Sequence, residues 1–480
     1  MKSFSLTKSV LVVILKPDNM DIKEITQQER DARSVISDLK RKSVSVPAWS
    51  KLRKEYDPKE HPVMTDKNYR DKFNKKTGQM EKVTRITLGL QKLAVKRMTE
   101  LMFAIPVRRV YKAQNEQEKK VAEIMEAIFS KNRINSVNNE RGRSLFASCE
   151  CVTLWYSQEK DAVYAGEKSK LRLRCKNYSP MNGDALYPLF DEYEDLIALS
   201  VEYTRTENEK TVTYFDTYTD SEHIRWRTEN GKTEEEEREQ IELGKITGLY
   251  IQRPEPIWED QSPNVYEAEW TLSRNGNYIR KNARPAWVVF SDEKIAHGKS
   301  SGNDNSGRDV IQYGKNDKAG YVTWQQAIDS IKFHIEEIKR EFFMELQLPD
   351  MSMENMKATP MSGEARKMMF IDAQLKVEDE SGIWLEFFDR EINVIRAFMK
   401  KMYPQYSAAI DSLAVDIEIT PYQIRDEAER INNLSNACGG KAIMSQKTAV
   451  ANLGYVDNVD EELQQIASES TVSLFNEPTE

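Results

Sequence analysis

The spacing of apolar residues changes along the chain, and each change marks a different kind of element. Between residues 150 and 252 it is two: Leu199, Val201 and Tyr203 alternate with Ser200, Glu202 and Thr204, and Ile224 and Trp226 alternate with His223, Arg225 and Arg227. That period predicts half-buried strands, and Asn230-Gly231 supplies a hairpin turn. Later the spacing lengthens. Trp324, Ile328, Ile331, Ile335, Ile338 and Phe342 form one stripe that only a helix aligns. Thr323 and Gln326 make a capping box at its start, and Pro349 lies just past its end. Residues 348–361, LPDMSMENMKATPM, carry neither period. Ser362-Gly363-Glu364 then restarts a helix, with serine as N-cap and glutamate at the positive dipole end. Its apolar positions recur to Met402, and Pro404 stops it.

The rest follows by the same reading. Residues 83–105, with Ile86, Leu90, Leu93, Met98, Leu101 and Met102, predict a helix, as do residues 116–129 with Val121, Ile124, Met125 and Ile128. Residues 1–81 are basic and broken up, which reads as a solvated, partly flexible extension. The acidic run Glu234 to Glu237 reads as a solvated loop. Ser262-Pro263 opens a helix as N-cap and first position. Asn275-Gly276-Asn277 interrupts it, where glycine costs about 1 kcal/mol against alanine, so its full length stays open. A strand at 286–290 leads into a Gly/Ser/Asn/Asp-rich loop. Leu413, Val415, Ile417 and Ile419 alternate as a strand expected to rejoin the earlier sheet, and the remainder is helical.

Composition narrows the chemistry. At 480 residues the chain has room for roughly two to four domains. A net charge of −8 argues against a sequence-specific DNA reader, which carries a basic face, though not against a protein that lets DNA slide past. Four cysteines give no disulfide framework, and the apolar run Leu11 to Leu15 is too short to span a membrane. His297-Gly298-Lys299-Ser300 and Gly439-Gly440-Lys441 look like the ends of phosphate loops, but Glu293 and Ser435 stand where the first glycine belongs. Cys149, Cys151 and Cys175 match no zinc spacing and sit among apolar neighbours, as buried thiols do. No serine lies in a nucleophile elbow. The sequence therefore predicts no catalytic residue, no metal and no cofactor.

One stretch resembles a known family. Residues 340–370, REFFMELQLPDMSMENMKATPMSGEARKMMF, resemble the end of the stem helix, the tunnel loop and the start of the crown helix of tailed-phage portal proteins. Ser362, Gly363 and Ala365 are the most characteristic part. Residues 250–290 resemble the preceding strand, first stem helix and clip entry, and 443–470 the closing segment. The resemblance implies an α+β portal-type fold. Its parts would be an N-terminal extension (1–81), an α+β wing (82–261), a first stem helix (262–283), a small clip (284–320) and a second stem helix (321–347). A tunnel loop (348–362), a long wing/crown helix (363–403) and a returning strand with a helical crown (404–480) would follow. Pro349, Asp350, Met351, Ser352, Met353, Glu354, Asn355, Met356 and Lys357 would face DNA in the tunnel, where soft methionines suit a surface of changing register.

It also implies partners. The chain would form a closed homo-oligomeric ring of about twelve copies, packed partly through the stripe from Trp324 to Phe342. It would sit at one capsid vertex of the virion after assembly in the host cytoplasm. Double-stranded DNA would pass through without sequence preference. Other partners would be the terminase large subunit, a head-tail adaptor, and the major capsid and scaffold proteins, with no membrane. Two other classes compete: a metal-dependent nuclease using carboxylates such as Asp304, Asp309 and Asp317, and an intracellular helical scaffold without nucleic acid.

Overall fold

The computed structural model describes residues 22–26, 30–44, 46–74, 78–282, 286–290, 318–322, 328–349, 370–422, 427–439, 441–456 and 458–474. Two antiparallel sheets form the β part, built from the alternating segment of the sequence. Strands β4 (Glu150–Tyr164), β5 (Glu167–Tyr178) and β11 (Gly248–Gln252) make a three-stranded sheet in the order β11-β4-β5. Strands β6 (Ala185–Phe190), β7 (Leu196–Glu207), β8 (Lys210–Tyr218), β9 (Glu222–Glu229) and β10 (Lys232–Gln240) form a five-stranded meander. Leu199, Val201 and Tyr203 are buried between the sheets beside Val152, Leu154 and Tyr250. Ile224 and Trp226 face the other side, against Val35 and Leu39.

The acidic run is strand, not loop. Glu234 to Glu237 lie in β10, paired to β9 across the turn at Asn230-Gly231, both of which have positive φ. As the outer strand of the meander, β10 places its carboxylates at an open edge, where charge discourages pairing with another chain.

The N-terminal segment is better packed than its composition suggests. Helices α1 (Ile22–Ile25), α2 (Ala32–Lys42), α3 (Trp49–Tyr56) and α4 (Pro62–Thr65), with the hairpin of β1 (Lys72–Asn74) and β2 (Gln79–Glu81), bury Ile25, Val35, Leu39, Leu52 and Val63. Helix α5 runs from Leu90 to Phe103, so the helix predicted over 83–105 starts late. Residues 82–89 are extended instead, because the next long helix takes their backbone groups.

That helix, α8 (Ser262–Asn282), lies against the extended segment. Thr84 N–H donates to Asn277 Oδ1 at 2.6 Å, Ile86 N–H to Ser273 Oγ at 2.8 Å, and Leu88 N–H to Glu269 Oε1 at 2.6 Å. The match is geometric: four helical residues rise about 6 Å and two strand residues about 6.6 Å. Gly276 falls inside this contact and α8 continues through it unbroken. A Cβ there would meet Thr84 Cγ2 at 2.8 Å, so glycine admits the close approach. The Ser262 hydroxyl donates to Glu55 Oε2 at 2.9 Å rather than capping the helix it opens.

Helices α6 (Glu116–Lys131) and α7 (Ile134–Ser148) complete the main core with α5, β4 and the long helix described below. The late strand also differs from expectation. β14 (Ala414–Glu418) pairs with β3 (Arg108–Lys112) in a separate two-stranded sheet and joins neither large sheet. Beyond it lie α12 (Glu427–Cys438), α13 (Gln446–Leu453) and α14 (Val459–Leu474).

Candidate functional site

The stripe from Trp324 to Phe342 falls largely on α9 (Ile328–Glu345), which packs against α8. Phe342 is fully buried in the main core with Phe343, Leu346 and Leu348. Ile331, Ile335 and Ile338 are only half-buried in the single chain, and Phe333, off the stripe, is 66% exposed. The anchored end of α9 is thus its C-terminal end. Trp324 lies outside the described residues, as does the side chain of Ile328. The far ends of α8 and α9 lead to a hairpin of β12 (Ala286–Phe290) and β13 (Lys318–Val322).

Pro349 is buried directly after α9. Asp350, Met351, Ser352, Met353, Glu354, Asn355, Met356 and Lys357 lie outside the described residues, together with Ser362, Gly363 and Ala365. So do Asp304, Asp309, Asp317 and the His297–Ser300 motif. Helix α10 (Ile371–Met402) follows, 32 residues or about 48 Å long, and ends before Pro404 as the sequence predicts. A short helix, α11 (Ser407–Ser412), connects it to β14.

Two buried carboxylates fasten α10 to the body. Glu391 accepts from Arg141 Nη2 of α7 at 2.5 Å and from Trp155 Nε1 of β4 at 3.0 Å. Arg141 also donates to Asn138 Oδ1 and Thr153 Oγ1, both at 2.8 Å. Its charge is fully out of water, so each of these partners replaces a lost hydration contact. About three turns earlier on α10, Glu380 accepts from Arg253 Nη2 at 2.9 Å. A third buried pair holds α8: His61 Nδ1 lies 2.7 Å from Glu269 Oε1, and His61 Nε2 lies 2.8 Å from the Glu55 carbonyl.

Sequence reading missed all three pairs. For Glu391 a signal exists, since Trp384, Phe388, Glu391, Ile395 and Phe398 share one helical stripe. A carboxylate at a core-facing position requires a buried cation. Among the cysteines, Cys149 and Cys151 are buried and burial pushes both thiols up to about 12. Such thiols are poor nucleophiles near neutral pH. Among the described residues no group of three acidic, histidine or cysteine side chains is placed to hold a metal ion, and no helix is long and apolar enough to cross a membrane.

The geometry assembles a mixed α/β body with long helices fixed to it through buried ion pairs. Residues 39–472 match the family model described as phage portal protein, SPP1 Gp6-like. The chain belongs to that family, whose members are structural, non-enzymatic components of phage particles. Two solved structures are similar in outline. The neck of an empty GTA particle, computed with C6 symmetry, aligns at 10% identity and TM-score 0.41, covering 76% of this chain and 90% of its own. The virion of a native gene transfer agent (GTA) particle aligns at 10% identity and TM-score 0.38, covering 86% and 94%. No curated protein matches.

Proposed function

We propose that this chain forms the ring at one capsid vertex through which double-stranded DNA enters and leaves the particle. The observation that carries this is the family match over residues 39–472. In this reading the two-sheet body with α5 to α7 is the wing, α8 and α9 are the stem, the β12–β13 hairpin belongs to the clip, and α10 runs on into the crown. The half-buried isoleucines of α9 fit such a ring, because a neighbouring copy would cover the face that a lone chain leaves open.

The segment from Asp350 to Lys357 would face the DNA, with Pro349 buried at its edge rather than in the tunnel, between helices whose near ends are fixed in the core. Contact with phosphates would be weak, independent of sequence and strongly dependent on salt, as suits a net charge of −8. The terminase large subunit would dock on the clip and supply ATP hydrolysis, a head-tail adaptor would follow it, and capsid and scaffold proteins would surround the wing. The ring would hold about twelve copies. The test is genetic: particles assembled without this chain should contain no nuclease-protected DNA, and supplying it in trans should restore packaging. Normal packaging in its absence would refute the reading.

A further inference from the structure

Three glycines lie inside helices among the described residues: Gly142 of α7, Gly276 of α8 and Gly382 of α10. Two of them mark close approach within the chain. A Cβ at Gly142 would meet Phe103 Cε2 at 3.0 Å and Thr99 Cγ2 at 3.1 Å, and one at Gly276 would meet Thr84. Gly382 is different, because a Cβ there would meet nothing within 4 Å. Helix α10 runs through it unbroken, and Ser381 beside it turns its hydroxyl back to the Glu378 carbonyl at 2.7 Å. Glycine inside a helix is destabilising against alanine. Within the single chain nothing uses the space that this glycine leaves.

The surroundings of Gly382 are largely apolar and uncovered. Ile371, Leu375, Glu378 and Gly382 fall in one row along α10, at the spacing that a helix aligns. The row points away from the core, which takes Ala373, Val377, Trp384 and Phe388 of the same helix. In the single chain Ile371 is 46% exposed and Leu375 59%. Helix α9 carries a second row of the same spacing, Phe333, Glu337, Arg340 and Met344, about 200° round from its isoleucines. Phe333 and Met344 are exposed at its two ends, while Arg340 pairs with Glu337 and Glu341 of its own helix. The two rows have equal length. One has bulk at its ends and the other has a gap, and both are bare, so they do not cover each other within one chain.

We propose that the Phe333–Met344 row of one copy lies on the Ile371–Gly382 row of the next, with a large apolar side chain entering the space over Gly382. Portal proteins assemble into oligomeric rings, and contact between two different faces of identical chains is the head-to-tail kind that closes a ring. The proposal rests on the ring reading for its closure, and the experiment separates the two. A photo-crosslinking amino acid is placed at position 375 of the full chain and isotopically labelled and unlabelled copies are mixed. Crosslinks are then mapped by mass spectrometry while the particles are imaged. Crosslinks to residues 333–344 of another copy are expected. G382A should raise the urea midpoint of the chain at concentrations too low for assembly, yet lower the fraction of rings. G382L should lower that fraction at least about tenfold, and G382L/M344A or G382L/F333A should restore it, which a folding defect would not do. Rings that form equally well with G382L, stay lost in both trimmed variants, or crosslink from position 375 only to other segments would overturn the contact and leave the ring reading intact. A lower urea midpoint for G382A would mean that the glycine serves the chain itself, and would also overturn the contact. Crosslinks to 333–344 in assemblies that never close would keep the contact and overturn the ring. No contact between copies would overturn both.

Discussion

Arg141 and Glu391 are 250 positions apart in sequence, and their charged groups meet at 2.5 Å in the core. This contact fixes α10 to α7 and β4. Removing one partner leaves the other buried and unpaired. E391L alone should therefore destabilise the folded chain by roughly 3–5 kcal/mol. The double variant R141M/E391L should recover much of that loss, since a well-packed apolar pair often replaces a buried ion pair at little cost. Chemical denaturation of the two variants checks this. Equal losses would mean that packing, not charge, dominates the contact.

Glu150 of β4 makes stability depend on pH in the less common direction. Burial raises its carboxyl to about 7, against a smaller opposite effect of the hydrogen bond from Tyr250 Oη at 2.9 Å. The folded chain thus holds this proton more tightly than the unfolded chain, whose glutamate titrates near its ordinary value of about 4.3. The Glu150 contribution to stability is then greatest below that value and falls as pH rises toward and past 7, by about 4 kcal/mol at most. E150Q keeps an acceptor for Tyr250 and carries no charge. It should match the parent near pH 4.5 and exceed it near pH 8. A constant difference across that range would contradict the assignment.

Gly276 reverses an ordinary expectation. Glycine to alanine inside a helix normally gains about 1 kcal/mol, but here the new methyl would meet Thr84 Cγ2 at 2.8 Å. G276A should therefore lower the Tm or leave it unchanged. G276A/T84S, which removes the opposing methyl, should raise it above G276A. If G276A alone stabilises the chain, residues 82–89 do not lie tightly on α8.

Much of the fold was legible because it is local. Alternation marked β7 and β9, the spacing of isoleucines marked α9, and Pro404 marked the end of α10. Most of the errors come from contact between segments far apart in sequence, the exception being β10, whose partner β9 is its neighbour in the chain. Residues 82–89 carry helical spacing, yet Glu269, Ser273 and Asn277 of α8 take their amides. Glu234 to Glu237 are strand because β9 offers a partner. His61 is a lone histidine in a basic segment, and its role depends on Glu269, 208 residues away. Of the candidate site, the helices were readable from their periods, while the assignment of the loop between them came from family resemblance.

Replacing residues 350–361 with a short Gly/Ser linker separates assembly from passage. The core-forming ends, Phe342 to Leu348 and Phe370 to Val377, are kept, so folding should be nearly unaffected. Nuclease-protected DNA per particle should fall sharply while rings still form. Failure to assemble would make the loop structural.

The central claim is most directly tested by negative-stain microscopy of the purified full-length chain at micromolar concentration. Closed rings with a central channel, of about twelve copies, are the predicted result. Compact single-chain particles at every concentration, with or without scaffold protein, would contradict it.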